Sequence, residues 1–332
     1  MVLMISDVCE RPLACWRGKE RYEGAVLECL TVIFRTAGCY WNRCLMCGYR
    51  HERYAGELSP ESQERNLLSQ LASVQEQHKP GEYQMVKIFT SGSFFDPREI
   101  PPAVRARIAD AFSGKIVIAE TRPEFVHEEY ITPFLSGIDD GTWKTPLICA
   151  MGLETSDDQI REKCIRKGFL FSDFTGASAR ARESGAGVKA YLLFKPLFLT
   201  EREAIEDMKR SIRDVSGHAE MISVNPCTVQ RRTELEWYWK RGAYRPPYLW
   251  SVLEILQDSP VHLTCDPVGG GRHRGAHNCG TCDDEIVKGI RDYSLTADRD
   301  LVTSLLETEC ACKEEWHAVL DQEMPFCMPL TR

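Results

Sequence analysis

Residues 35–52 read RTAGCYWNRCLMCGYRHE, and they place Cys39, Cys44 and Cys47 in a C-x4-C-x2-C loop directly behind the apolar run Leu30 to Thr36, LTVIFRT. That run has the near-continuous hydrophobicity of a strand buried on both faces of a parallel sheet. A loop at the C-terminal end of such a strand lies on the edge where parallel α/β sheets and barrels bind their ligands. No fourth cysteine lies nearby. A closed structural zinc site needs four ligands, and an electron-transfer [4Fe–4S] cluster normally takes four cysteines. Three thiolates leave one iron of a cluster open to a small molecule. The competing arrangement is a zinc ion completed by His51 or by a distant cysteine.

Outward from this loop, similar apolar runs recur at spacings too wide for hairpins: Met85 to Gly92, Lys115 to Thr121, Pro146 to Glu154, Gly187 to Lys195, Met221 to Pro226 and Val261 to Asp266. Helical segments fall between them. Ser59-Pro60 offers an N-cap followed by proline at the first helical position. Ser156 to Gln159 and Thr200 to Glu203 fit the capping-box spacing, while Ile100 to Phe112 and Ser172 to Ser184 supply two more helices. Strand and helix alternating about six times predict an α/β fold with a parallel sheet, open or closed into a partial barrel. After Pro226 the texture turns aromatic, basic and then cysteine-rich, so residues 1–228 are expected to form the barrel and residues 229–332 a C-terminal extension.

Of the 332 residues, 43% are hydrophobic and 27% charged, ordinary values for a chain with a sizeable core. No run approaches the ~20 apolar residues that cross a bilayer, and the start lacks a secretory pattern, so a cytoplasmic protein without membrane contact is expected. The net charge of −8 argues against blanket binding of nucleic acid, leaving room for a local basic face. Fifteen cysteines are too many for a disulfide framework in a reducing compartment, so the clustered ones are metal or cluster ligands. Cys9, Cys15, Cys29, Cys149, Cys164, Cys227 and Cys327 are scattered and are expected to be small buried hydrophobes.

The three-cysteine loop behind strand one of a repeated βα chain resembles the radical S-adenosylmethionine (SAM) superfamily. The superfamily's usual loop is C-x3-C-x2-C with an aromatic before the third cysteine. Here the first gap is one residue longer and Met46 takes the aromatic's place. Three further strand ends resemble the superfamily in order. TSGS puts Gly92 and Ser93 where a glycine-rich turn receives the amino group of SAM. ETRPE, with Glu120 and Arg122, is similar to a run in relatives of the elongator catalytic subunit. GLETS puts Glu154 where a strand-end carboxylate or amide meets SAM. The fold so implied is a partial parallel (β/α)6 radical-SAM barrel, with a [4Fe–4S] cluster on Cys39, Cys44 and Cys47, and with SAM beside Met46, Gly92, Ser93, Glu120, Arg122, Glu154 and Asn225.

Together with NPCTVQRRTELEWYWKRGAYRPPYLWSV (residues 225–252) and CDPVGGGRHRGAHNCGTCD (265–283), the loop resembles the family of radical-SAM subunits of archaeosine synthase. That resemblance implies a lyase acting on tRNA whose 7-deazaguanine at position fifteen carries a lysine adduct. A partner enzyme attaches the lysine, a low-potential donor supplies electrons, and cleavage of the lysine carbon–nitrogen bond leaves the formamidine of archaeosine. An unactivated C–H beside the amidine nitrogen is beyond any side-chain base, which is why homolytic chemistry suits this bond. Arg122, Lys195, Arg231, Arg232, Arg272 and Arg274 are candidates for gripping the substrate, each with a solvated surface role as the alternative.

Cys279 and Cys282 (C-x2-C) and Cys310 and Cys312 (C-x-C) can enclose a tetrahedral Zn²⁺, with Cys265 and His277 in reserve and an auxiliary Fe–S cluster as rival. Arg231, Arg232, Lys240, Arg241 and Arg245 interleave with Trp237, Tyr238, Trp239 and Tyr244, and Arg272, His273 and Arg274 sit on a glycine loop. Such groups contact phosphates and stack on unpaired bases. The alternative packs Leu235, Trp239, Tyr248 and Leu249 against the barrel and leaves the charges in water. Other functions compatible with the sequence are an elongator-like or methylthiotransferase-like tRNA enzyme, and a zinc-stabilised RNA-binding module without radical chemistry.

Overall fold

A computed structural model describes residues 10–54 and 58–331, so Cys9 lies outside the described residues. Eight strands lie in one sheet in chain order: β1 (Ala14–Tyr22), β2 (Ala25–Ile33), β3 (Met85–Phe89), β4 (Ile116–Thr121), β5 (Leu147–Glu154), β6 (Gly187–Phe194), β7 (Met221–Pro226) and β8 (Thr264–Cys265). The pairs β2–β3, β3–β4, β4–β5 and β7–β8 are parallel, as the unbroken apolar runs require. β1 is antiparallel to β2 through a turn at Glu23-Gly24, where both residues take positive φ. This hairpin strand was not foreseen, because WRGKERY has no apolar run to mark it.

The helices follow their capping chemistry. In α1 (Pro60–Gln77) the Ser59 side chain accepts from the Ser62 amide, with Pro60 at the first position. Next come α2 (Pro102–Ala111), α3 (Glu128–Ile138) and α4 (Phe171–Glu183). In α5 (Glu201–Val215) Thr200 and Glu203 form the expected reciprocal box. Ser156 does not cap. Its hydroxyl donates to Asp214, and Asp157 caps the short turn that follows, accepting from Gln159 and Ile160. The last helices are α6 (Glu234–Lys240), α7 (Leu249–Asp258), α8 (Asp283–Thr296), α9 (Arg299–Glu307) and α10 (Cys312–Gln322).

Two compact units divide the chain. Residues 1–42, 49–152 and 172–189 make the first, and residues 43–48, 153–171 and 190–332 the second. In the first, β2 to β5 are walled by fully buried Leu30, Val32, Ile88, Ile118 and Ile148. In the second, Leu45 of the cysteine loop joins a buried cluster with Ile165, Leu197, Cys227, Val229, Leu235 and Tyr244. No helix among the described residues is long and apolar enough to cross a membrane.

Candidate active site and metal centre

In the first unit, Cys39 stands just past β2 and is bracketed tightly. A Cβ on Gly92 would lie 2.6 Å from Cys39 Cα, so the strand-end turn after β3 needs glycine for the cysteine backbone to approach it. Behind that turn is Glu99, absent from the sequence-derived candidates. Its carboxylate accepts from the Thr36 hydroxyl and from the Ser93 amide, both at 2.7 Å. Burial pushes its pKa up to about 7 against the pull of those hydrogen bonds. Thr36 Oγ1 in turn accepts from the Gly38 amide at 3.1 Å. One buried carboxylate thus ties the root of the cysteine loop to the TSGS turn.

Arg122 leads out of β4. Its guanidinium donates twice to Glu124 Oε1, at 3.0 and 2.7 Å, and lies 5.4 and 5.7 Å from the Tyr40 and Trp41 ring centroids. Its amide donates to Ser93 Oγ at 3.1 Å, while the Glu120 carbonyl accepts from Phe94 at 2.8 Å, so the β3 and β4 ends are stitched together. Four buried polar atoms on the segments leaving β2, β3 and β4 have no hydrogen-bond partner among the described residues: Arg35 Nε, Asn42 Oδ1, Ser91 Oγ and Glu124 Oε2. Unsatisfied buried polar atoms are rare in native proteins. These four lie on segments that leave three neighbouring strands.

The second unit holds Cys44 and Cys47. The loop between them is fixed by the Leu45 amide donating to Ile165 O (2.9 Å), by Leu235 N donating to Leu45 O (3.1 Å) and by Gly48 N donating to Gln230 Oε1. Met46 packs half-buried on the apolar cluster around Leu45. Glu154, at the end of β5, has φ of 73° and takes the Lys167 ammonium at 2.6 Å. Left-handed backbone at a non-glycine residue costs of order 1–3 kcal/mol and persists where the surroundings enforce it. Asn225, at the end of β7, accepts from Ser223 Oγ at 3.2 Å. Lys195 is fully buried with its ammonium 2.7 Å from Glu201. His51 is exposed on a short helical turn, in the first unit.

Also in the second unit, Cys279, Cys282, Cys310 and Cys312 come together, all four sulfurs within 4.8 Å of one another. Nearest separations are 3.6 Å (279–310), 3.7 Å (282–312) and 3.3 Å (310–312). A tetrahedral ion with Zn–S near 2.3 Å holds its sulfurs about 3.8 Å apart, so the group has room for one ion and not for a cube of four irons. Trp250 Nε1 donates to Cys312 Sγ (3.2 Å) and Asn278 Nδ2 to Cys282 Sγ (3.3 Å), both of which favour thiolates. Asn278 Oδ1 also accepts from Leu249 N at 2.9 Å, at the start of α7. The two reserves fall outside the four-sulfur group. Cys265 is buried at β8, and His277 Nδ1 donates to the Gly275 carbonyl at 2.8 Å.

The basic and aromatic stretch splits in two. Arg245 is buried, stacked 3.4 Å from the Tyr248 centroid and donating to the Pro246 and His277 carbonyls, and Tyr244 donates to Lys195 O, so these two serve packing. Leu235, Tyr248 and Leu249 are buried as well. Arg231, Arg232, Lys240, Arg241, Arg272 and His273 are exposed. Trp237 is half-exposed under the Arg241 guanidinium, 3.7 Å from its centroid. Arg274 holds Glu236 at 2.6 Å and lies 4.6 Å from the Trp239 centroid. Among the scattered thiols, burial pushes Cys29, Cys149 and Cys227 up to about 12, as small hydrophobes should behave. Cys15 is half-buried and Cys327 exposed, contrary to that expectation.

No protein-family profile matches the chain. It is 42% identical over 325 residues to archaeosine synthase subunit beta of Methanosarcina acetivorans, covering 94% of this chain and 90% of the relative. The chain belongs to the archaeosine synthase subunit beta family. The subunit beta of Thermococcus kodakarensis is 32% identical over 320 residues, with 92% and 96% covered. Among solved structures, methylornithine synthase matches with a TM-score of 0.50 at 15% identity, over 76% of this chain and 65% of that one. The likeness shows that the chain shares its α/β fold with that enzyme.

Proposed function

We propose that this subunit beta is the radical-SAM lyase of archaeosine biosynthesis, cleaving the lysine carbon–nitrogen bond of the adducted 7-deazaguanine in tRNA. The observation that carries the reading is family membership along nearly the whole chain, joined to a three-cysteine loop behind β2. The resident groups would be a [4Fe–4S] cluster on Cys39, Cys44 and Cys47, SAM, and a structural Zn²⁺ on Cys279, Cys282, Cys310 and Cys312. When bound, cluster and SAM supply a hydrogen-abstracting adenosyl radical by one-electron reduction.

The chain's own residues do the rest. Gly92 and Ser93 present backbone at the β3 edge, and the unpartnered Ser91, Asn42 and Glu124 oxygens offer polar contacts there. Glu120, Glu154 and Asn225 stand at the ends of β4, β5 and β7, where a ribose or amine can be met. Arg122, Lys195 and Arg274 already hold carboxylates of this chain. For phosphate contact Arg231, Arg232 and Arg272 offer exposed guanidinium groups, with Trp237 as a stacking face. Residues 229–332 would be the tRNA-contacting part and residues 1–228 the catalytic part. The partners are the lysine-transferring subunit and a low-potential electron donor, in the cytoplasm.

The test is iron, sulfide and zinc quantification on anaerobically prepared protein, wild type against Cys44→Ala, with a dithionite-driven assay for 5′-deoxyadenosine on lysine-adducted tRNA. Loss of iron and of 5′-deoxyadenosine with zinc retained is expected. Zinc alone in the wild type, without SAM cleavage, would overturn the reading in favour of an RNA-binding module.

A further inference from the structure

The first gap of the cysteine motif holds four residues, Tyr40 to Arg43, and a longer loop has more conformations to lose when Cys39 takes its place. Two features of the first unit restrain it. Asn42 turns the chain with φ of 51°, a left-handed backbone that asparagine tolerates better than most residues. Tyr40, the residue after Cys39, is held from several sides. Its hydroxyl donates to Glu124 Oε1, the same oxygen that takes both Arg122 donors. Its ring meets Phe125 edge-on at 5.6 Å, and the Arg98 and Arg122 guanidinium carbons lie 4.9 and 5.4 Å from its centroid. Arg98 is itself fixed on fully buried Asp96 at 2.7 Å.

We propose that Tyr40 and Glu124 are positioning residues for Cys39: a clamp, built from the loop after β4, that holds the enlarged cysteine loop in its ligating conformation. Glu124 is the hub, since a single oxygen gathers the phenol and the arginine. Neither residue touches the reacting atoms in this role. The proposal rests on the reading that Cys39 is a cluster ligand.

Tyr40→Phe keeps the ring contacts and removes only the hydroxyl donor, and Glu124→Gln keeps the shape and removes the charge. Each is measured by the rate at which anaerobic protein loses iron to a ferrous chelator and by the electron paramagnetic resonance spectrum of the dithionite-reduced cluster. Zinc content reports independently on the fold of the C-terminal part. Loss of a hydrogen bond to a charged acceptor is expected to speed iron release about tenfold and to alter the spectrum, with zinc unchanged. The double variant should be no faster than the faster single one, because both weaken the same charge-assisted contact. Iron release within twofold of wild type in both single variants, or full additivity in the double, overturns the clamp alone. A wild type that carries no iron overturns the cluster reading and the clamp with it.

Discussion

Glu99 makes the region around Cys39 sensitive to pH in a direction that can be worked out beforehand. Its folded pKa is raised from an ordinary 4.5 to about 7, chiefly by burial. Between those values the native state holds a proton that the unfolded chain has released, so stability falls as pH rises through this window. The full cost is about 2.5 units at 1.36 kcal/mol each, or roughly 3 kcal/mol above pH 7. Glu99→Gln cannot ionise, yet its side-chain oxygen can still accept from the Ser93 amide. The variant is therefore expected to be more stable than wild type by roughly 1 kcal/mol at pH 5.5 and roughly 3 kcal/mol at pH 8. Urea unfolding followed by far-UV circular dichroism at these two pH values measures the difference, and metal-linked changes common to both proteins cancel. A gap that stays constant with pH, or a variant that is less stable throughout, would refute the account of Glu99 as a buried carboxyl close to neutrality.

The four-sulfur group predicts that Cys282→Ser brings zinc per chain to near zero while iron stays at the wild-type level, measured by plasma emission on anaerobic protein. Glu20 is buried between Lys87 and Lys189, both at 2.8 Å; burial raises its pKa, but the two ammonium groups outweigh it and bring it down to about 2. Glu20→Gln should then cost about 3 kcal/mol at pH 7 in urea unfolding. The cost should be fully present above pH 4.5 and shrink as pH falls towards 2, and a variant within 1 kcal/mol of wild type at pH 7 would contradict it. On the proposed tRNA face, Arg272→Ala should lower the slope of log affinity against log salt by about 1. Trp237→Ala should weaken binding by about 1–3 kcal/mol if a base stacks on it. An unchanged salt slope removes Arg272 from the interface.

Local chemistry made the barrel strands legible. β4 to β7 fall within one residue of the apolar runs and β3 ends three residues before its run does, because a strand buried on both faces keeps few polar residues to confuse the pattern. β1 escaped for the opposite reason: Trp16 to Lys19 are all exposed, and it buries only Glu20 and Tyr22. Thr200 announced its helix through the capping box, whereas the same spacing at Ser156 misled, because Asp157 beside it is the better acceptor for two amides. The four C-terminal cysteines could be paired from spacing, since C-x2-C and C-x-C leave few geometries for their sulfurs. Glu99 could not be found that way. It lies 60 residues beyond Cys39 in a stretch without a motif, and only the pairing of β2 with β3 brings Thr36, at the root of the cysteine loop, onto it.

A charged residue in a motif is a poor guide to a binding site unless its counter-charge is known. Arg122, Lys195 and Arg274 all drew attention as guanidinium or ammonium groups suited to a substrate carboxylate, and all three are satisfied by Glu124, Glu201 and Glu236. Freeing a buried pair such as Lys195–Glu201 to grip a ligand would strand a buried carboxylate, at a cost of ~3–5 kcal/mol. A ligand repays that only by replacing the ammonium with a cation of its own. The unpartnered oxygens of Asn42, Ser91 and Glu124 carry no such penalty, because a polar ligand would relieve their desolvation instead of adding to it. The edge beyond β2, β3 and β4 is therefore the binding edge that the proposed function requires. Its polar atoms have the most to gain, and Gly92 lets the cysteine backbone reach it.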